Sequence, residues 1–400
     1  MESRIDAGKL LFLGVCALFF FIPVSIVPLS ITEGLTVLLW LVSGKFIKTV
    51  RFLKNWKLVL PLVAMVILPW AGLLYTSSVS AGWKFAERTD YWLFAFIAAY
   101  VISSGYKTEY FLKSYIAGVS LTSVMFLLQL AGIVPRHDQY SAGFFGTWAH
   151  IKLSLLITFS IVLLSFYFSR ASREKDRLLC AALMLVQFAA LVLMLSDSGQ
   201  LAFILLTPVI AYNLPRKKSL KKALAGSVLI IAVMFLSPVM QSRLKEAVHE
   251  TDVYGKGQIV TPLGIRYYMW EGAVRIFREH PVIGAGTGGY EDLMNKSRPS
   301  PDIPDVVHPH NTLLFMASSY GVIGVLVLIW LWAVPLKAGW QGRHSLAGFA
   351  ILVYMAVLTV GSITDTQIMS HQTGVLFAML YGVAIAGRET GPAAPLRAAA

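Results

Sequence analysis

The sequence predicts an all-α protein, a polytopic transmembrane helical bundle of about twelve spans with one long helical excursion between the ninth and tenth. Three observations predict it. Of the 400 residues 56% are hydrophobic and only 14% charged, whereas soluble domains carry about a quarter charged residues. The apolar residues gather in runs near membrane-spanning length, about 20, instead of alternating between two faces. The basic residues, which give a net charge of +13, cluster in short connections between those runs, so topology and not nucleic acid accounts for them.

In chain order the runs are 10–28, 30–44, 58–75, 91–104, 112–134, 151–168, 178–195, 200–214, 223–240, 311–334, 346–363 and 371–386. The second, fourth and eighth are short and are expected to be tilted, broken or extended at the interface. The first has the length of a signal peptide, but no small-residue cleavage site follows it, and it is read as a retained span. With the N-terminus in the cytoplasm, 22 Lys and Arg fall inside and 12 outside. Eight of the outer ones belong to the segment 241–310, which a rule for short loops does not count, so both termini are expected in the cytoplasm. Seven of the eight histidines then lie at the outer surface and only His344 inside.

The segment 241–310 is too long for a plain connection. Within it "GIRYYMWEGAVRIF" spaces Tyr267, Trp270, Val274 and Phe277 as one face of an amphipathic helix. The chain thus divides into spans one to nine (1–240), the outer excursion (241–310), spans ten to twelve (311–387) and an Ala/Pro-rich cytoplasmic tail (388–400) whose composition predicts disorder. Cys16 and Cys180 both fall in apolar runs, which leaves neither a disulfide framework nor a CxxC metal site.

Candidate chemistry collects on the outer side. Arg266 shares a helix face with Trp270, and a guanidinium on an apolar face needs an anionic partner; pairing with Glu271 or Asp305, or reaching to lipid headgroups, is the plain alternative. His308 and His310 close the excursion where the tenth span begins. An imidazole there can exchange a proton with a sugar hydroxyl at neutral pH, while the same residues, with Asn311, can simply cap the helix. A His-x-His metal pair is the third option, but no second half of a ligand pattern is evident and no metal is expected. In "PRHDQYSAGFFGTWAHIK" the candidates are Arg136, His137, His150 and Lys152, the last placed inside an apolar run where an ammonium is costly. Lys152 is a phosphate ligand or a side chain reaching to the interface. "SDSGQ" (196–200) and Asp365 read first as caps and turns. "GAGTGGY" (284–290) follows no strand, so it is a turn for close backbone approach and not a dinucleotide site. No DxD pair occurs, against a metal-dependent transferase that uses nucleotide sugars.

The stretch "HPHNTLLFMASSYGVIG" resembles the O-antigen ligases and the related O-antigen polymerases, which carry a His, then Asn, Ser or Gln, nine residues, and Gly-x-x-Gly. His310, Asn311, Gly321 and Gly324 satisfy that pattern at the end of the long outer segment. "RYYMWEGAVRIFREHPVIGAGTGGY" (266–290) is similar to the family's Arg, aromatic-rich helix and glycine-punctuated turn. The resemblance implies a membrane-type (GT-C-like) inverting glycosyltransferase in the bacterial inner membrane with its active site facing the periplasm, needing no cofactor or metal. It would move a polysaccharide from undecaprenyl diphosphate to a sugar hydroxyl of the lipid A core. His310 and Arg266 would be catalytic, the first assisting the acceptor hydroxyl and the second holding the diphosphate; Lys152, Arg136, Asn311 and His308 would bind substrate. One departure stands out: where the family has Arg-Gly after a Ser, this chain has Gly199 and Gln200, and Lys152 and Arg136 are the candidate replacements. The alternatives are polymerase and a secondary transporter of about twelve spans. Transporters place ionisable groups near the midplane and repeat their halves, and neither pattern is visible here.

Overall fold

A computed structural model describes residues 6–136, 141–142, 148–215 and 219–389. Every apolar run identified above is helical: α1 Ala7–Phe21, α2 Ile26–Val42, the short α3 Lys45–Thr49, α4 Trp56–Gly72, the short α5 Val79–Ala86, α6 Leu93–Ser103, α7 Thr108–Leu130, α8 His150–Arg170, α9 Glu174–Leu193, α10 Asp197–Asn213 and α11 Leu220–Phe235. The excursion folds as α12 Pro238–Gly255, α13 Pro262–Glu279 and α14 Gly289–Lys296, and the chain ends with α15 Thr312–Gln341, α16 Leu346–Thr364 and α17 His371–Glu389. The strands among the described residues form one two-residue antiparallel ribbon pairing Ser141 with Ala149 and Ala142 with Trp148.

By length and composition α7, α8, α9, α15 and α16 can cross a membrane, and two bent pairs, α2 with α3 at 86° and α11 with α12 at 78°, raise the number to seven. This is a membrane protein with five to seven membrane-capable helices. The apolar stretches of α1, α4 and α17 (the last over His371–Gly387) are shorter, about 25 Å or less at 1.5 Å per residue against a hydrocarbon thickness of about 30 Å.

α8 sits at the centre of the packing, buried along nearly its whole length from Leu153 to Phe166, with α9, α10 and α16 around it. α17 packs on α6, α1 on α7 and α2, and α15 on α16 and α4. Polar side chains bridge these helices: Tyr115 OH donates to the Leu156 carbonyl at 2.8 Å, Thr158 to the Gly199 carbonyl at 2.9 Å, and the Ser154 and Ser196 hydroxyls meet at 2.6 Å. Such contacts matter where hydrophobic burial cannot distinguish a helix neighbour from a lipid tail. Exposed Leu224, Val228 and Leu229 on α11 are the lipid-facing counterpart.

The excursion has a small core of its own, Met269, Ala273, Ile276, Tyr290, Met294 and Val306, with Leu314 of α15 packed against it. The amphipathic helix expected within 264–277 is present as α13, but its buried face is not the aromatic stripe. Met269, Gly272, Ala273 and Ile276 are buried, while Val274 is 36% exposed. The small residues decide the face, because Gly272 lets Met294 approach where a Cβ would lie 2.1 Å from its sulfur. Arg266 precedes Met269 by three positions and Ala273 by seven, so it heads the buried row.

α15 is broken at Gly321, whose backbone (φ 63°, ψ −153°) only glycine adopts readily. The break frees the Ser318 and Ser319 carbonyls, which accept from the Ala285 and Gly286 amides at 2.9 Å each. It also frees the Val322 amide to donate to the Pro281 carbonyl at 2.8 Å. The turn 280–289 is thereby laid into the helix break, and a Cβ on Gly321 would meet the Val282 carbonyl at 2.3 Å. Thr287 ties the same turn to α4, donating to the Pro69 carbonyl at 2.6 Å. The Gly-x-x-Gly spacing and the "GAGTGG" turn are two halves of one joint that fixes α13 over the start of α15.

Candidate active site

Four chain segments converge beside the start of α15. Asn311 caps that helix, its Oδ1 accepting from the Leu314 amide at 3.0 Å while its Nδ2 donates to the Ile363 carbonyl at 3.1 Å. The cap expected from the spacing therefore belongs to Asn311, and it ties α15 to the end of α16. His310, just before it, takes φ 47°, the only positive φ of a non-glycine residue among those described. Such backbone costs of order 1–3 kcal/mol and persists only where the surroundings over-determine it. What it achieves is to aim the imidazole at the next connection, where Nδ1 lies 2.8 Å from Asp365 Oδ1.

Asp365 is buried and held on both oxygens: Oδ1 also accepts from the Thr366 amide at 2.8 Å, and Oδ2 from Gln367 Nε2 at 3.4 Å. Burial pushes its carboxyl up, but the hydrogen bond from His310, the charges of His310 and His308, and the Thr366 amide outweigh burial and leave it below the usual carboxylate range. A carboxylate on Nδ1 places the proton there and leaves the Nε2 lone pair free. Nothing among the described residues bonds His310 Nε2.

His308 stacks edge-on to His310 with ring centroids 4.4 Å apart, and its Nδ1 accepts from the His310 amide at 3.3 Å. Burial first, then the neighbouring His310 and the ammonium of Lys152, with Asp365 opposing, push it down to about 4. It is neutral at pH 7. Lys152 stands in the first turn of α8, and its charge reaches His308. Lys152 has no hydrogen-bond or ion-pair partner among the described residues. The start of α8 is fixed by His150, whose Nδ1 accepts from the Leu195 amide at 3.1 Å, and the start of α10 by Ser198, which accepts from the Thr364 hydroxyl at 2.6 Å beside Asp365.

The other candidates separate clearly. Arg266 is half-buried and bonds neither acid offered for it: Asp305 pairs with Arg298 at 2.6 Å, and Glu271 acts on the Tyr254 hydroxyl. Arg266 has no partner among the described residues. Arg136 lies over the Phe126 ring at 5.7 Å. His137 falls outside the described residues. At the family's missing Arg-Gly the structure gives a steric reason: a Cβ on Gly199 would lie 2.2 Å from Ser154 Oγ, and Gln200 is buried with its Nε2 donating to the Leu191 and Met194 carbonyls. The nearby Arg243 is committed to both oxygens of Asp197, at 2.9 and 3.2 Å, and to Glu246. Sequence reading missed this ion pair and gave Asp365 only a capping part; the one signal for Asp365 was a carboxylate at the outer end of an otherwise uncharged span.

His308, His310 and Asp365 each offer a ligand atom, and these atoms lie within 4.8 Å of one another, which makes them the residues able to hold a metal ion. Without an ion the arrangement is a histidine–carboxylate dyad beside a neutral histidine on which the Lys152 charge acts, suited to taking a proton from a hydroxyl.

Residues 179–329 match the family model described as O-Antigen ligase, which bears out the resemblance read from the His310 motif. The matched stretch contains Arg266, His308, His310 and the Gly321 joint. The chain is also similar to an uncharacterized protein of Haemophilus influenzae (strain Rd), 22% identical over 277 residues that cover 62% of this chain and 67% of that one.

Proposed function

From an O-antigen ligase family segment that ends just beyond this joint, we propose that the protein is a periplasm-facing O-antigen ligase. It takes a polysaccharide from undecaprenyl diphosphate in the bacterial inner membrane and transfers it to a sugar hydroxyl of the lipid A core. The observation that carries this reading is the His310–Asp365 pair, which leaves Nε2 open beside the unpartnered Lys152. The twelve-span layout, with the excursion 241–310 as a separate outer unit and both termini cytoplasmic, is part of the same proposal.

In the proposed reaction the acceptor hydroxyl gives its proton to His310 Nε2 as its oxygen attacks the anomeric carbon from the face opposite the diphosphate. The glycosidic C–O bond breaks, the configuration inverts, and the electron pair leaves on the diphosphate. Asp365 holds the imidazole in position and stabilises the imidazolium that forms. Arg266 and Lys152 meet the charge that grows on the leaving diphosphate. Lys152 thus takes the place of the family's second cation, since position 199 has no room for a side chain and Arg243 is occupied. His308, neutral, adds a polar contact without a further charge, and Asn311 fixes the backbone behind His310. The leaving group is already a good one, so a base and a cationic clamp suffice, and no cofactor is assigned to the step.

The test is a two-substrate assay with purified lipid-linked polysaccharide and lipid A core, run with and without chelator. Transfer by the parent and its loss in folded His310→Ala and Arg266→Ala variants is expected; full activity in either variant would remove the role given to that residue. Product that is a lengthened lipid-linked chain with no lipid A conjugate would make the protein a polymerase.

A further inference from the structure

We infer that His308, His310 and Asp365 capture a divalent transition-metal ion of the zinc class, and that the captured ion switches the transfer reaction off. The coordination rests on geometry alone; the switch rests also on the reading of His310 as the base. Two imidazoles and a carboxylate are a ligand set zinc takes where three protein groups bind it and a fourth position stays open. The ligand atoms lie within 4.8 Å of one another, and a tetrahedral ion with bonds of about 2.0–2.2 Å needs them roughly 3.4 Å apart, so a movement of at most about 1.4 Å closes the site. Two of the three need hardly move, since His310 Nδ1 and Asp365 Oδ1 are already 2.8 Å apart.

The outer ring of contacts is also in place. Asp365 is steadied by the Thr366 amide and Gln367 Nε2, while His308 would meet the ion through Nδ1, in place of the His310 amide from which that nitrogen now accepts. Contacts of this kind orient metal ligands before the ion arrives. The door is open as well, for the His310 side chain is 37% exposed. Two nitrogen donors and one carboxylate disfavour magnesium and calcium, which take oxygen ligands and more of them. Lys152 opposes any cation here.

Why capture inhibits follows from the tautomer. In the metal-free pair the proton sits on Nδ1, facing Asp365, and the Nε2 lone pair is available. A metal bonded through Nδ1 displaces that hydrogen bond, and a neutral imidazole keeps one N–H, so the proton moves to Nε2. The lone pair that would take the acceptor's proton is lost, and no atom leaves the site.

The experiment titrates the purified full-length protein in detergent with Co2+, a visible spectroscopic stand-in for Zn2+, after chelator treatment. One equivalent should bind with the d–d absorption of a tetrahedral N/O site and be displaced by Zn2+. His308→Gln and Asp365→Asn, each checked for folding by circular dichroism, should weaken binding at least about tenfold, and Lys152→Gln should tighten it. In the transfer assay Zn2+ should inhibit with a midpoint that tracks its displacement of Co2+, and chelator should restore activity. No stoichiometric binding, or binding unchanged in both ligand variants, overturns the site. Full transfer with the site spectroscopically saturated overturns the switch. Binding that obeys the variants in a protein that transfers nothing keeps the site and removes the ligase reading.

Discussion

Two histidine–carboxylate pairs stand at the ends of the segment 365–371, and they use opposite ring nitrogens. At one end His310 engages Asp365 through Nδ1. At the other, His371 engages Glu33 of α2 through Nε2, 2.9 Å from each carboxylate oxygen. The His371 ring also lies edge-on to Tyr91 at 6.2 Å, and the Tyr91 hydroxyl donates to the Ile368 carbonyl at 2.6 Å. Engaging Nδ1 leaves the outer nitrogen of the ring free to meet a substrate, and a cation and a second imidazole stand beside it. Engaging Nε2 uses the far end of the ring to bind α17 to α2. On the proposed reading the same two residue types make a reactive group in one place and a brace in the other, and the choice of nitrogen tells them apart where composition does not.

The sharpest way to break the comparison is to delete each imidazole. His310→Ala should lower transfer by roughly 10²–10⁴, the range that general-base catalysis supplies, with the fold intact by circular dichroism. Asp365→Asn should follow at a somewhat smaller loss, on the order of 10²–10³, because an amide no longer fixes the proton on Nδ1. If the asparagine variant turned over like the parent, Asp365 would be a cap and not a positioning group.

His371→Ala and Glu33→Gln should behave the other way. The first leaves the buried Glu33 carboxylate unsatisfied and the second weakens a charge-assisted bond, each costing about 1–3 kcal/mol of stability, read as a lower unfolding midpoint in detergent, while turnover per folded molecule stays near that of the parent. A loss of turnover without a loss of stability would give the second pair a chemical part and erase the distinction. Lys152→Gln tests the neighbourhood instead of the pair. An approximately tenfold fall in kcat/KM that appears with diphosphate-linked donor is expected from losing one charge-assisted contact.

Most of the fold was legible because the bilayer imposes it. Spans must be helical and apolar, and every apolar run in the sequence became a helix. The His310 motif was legible too, as was the turn character of 284–290, since positive-φ glycines have few other uses. What was hidden depends on contacts between residues distant in sequence. Asp365 lies 55 positions from His310, Glu33 lies 338 from His371, and the pairing of the 280–289 turn with the break at Gly321 has no local signal. The face of α13 was misread because aromatic side chains were given more weight than Gly272 and Ala273. Half-exposed aromatic rings mark a helix face less sharply than Gly272, which marks the close approach of Met294. The empty place at Gly199 likewise becomes intelligible only when Ser154 is seen to fill it.

A further expected effect concerns acid stability, and it follows from His308. In the unfolded chain this imidazole takes a proton near pH 6.5, whereas in the fold it is pushed down to about 4. Between those values the unfolded state holds more protons, so stability falls as the pH drops from about 6.5 toward 4. Asp365 acts in the same direction at still lower pH, because a carboxyl held below its ordinary value contributes stability that is lost on protonation. His308→Gln should remove the upper part of that slope, worth about 2 kcal/mol after allowing for the partial exposure of the ring. Unfolding midpoints measured at pH 7, 6 and 5 would show it as a shallower decline for the variant than for the parent. Equal declines would mean that His308 is not held neutral by burial, His310 and Lys152, and the first pair would then stand in wetter surroundings than the burial of His308 indicates.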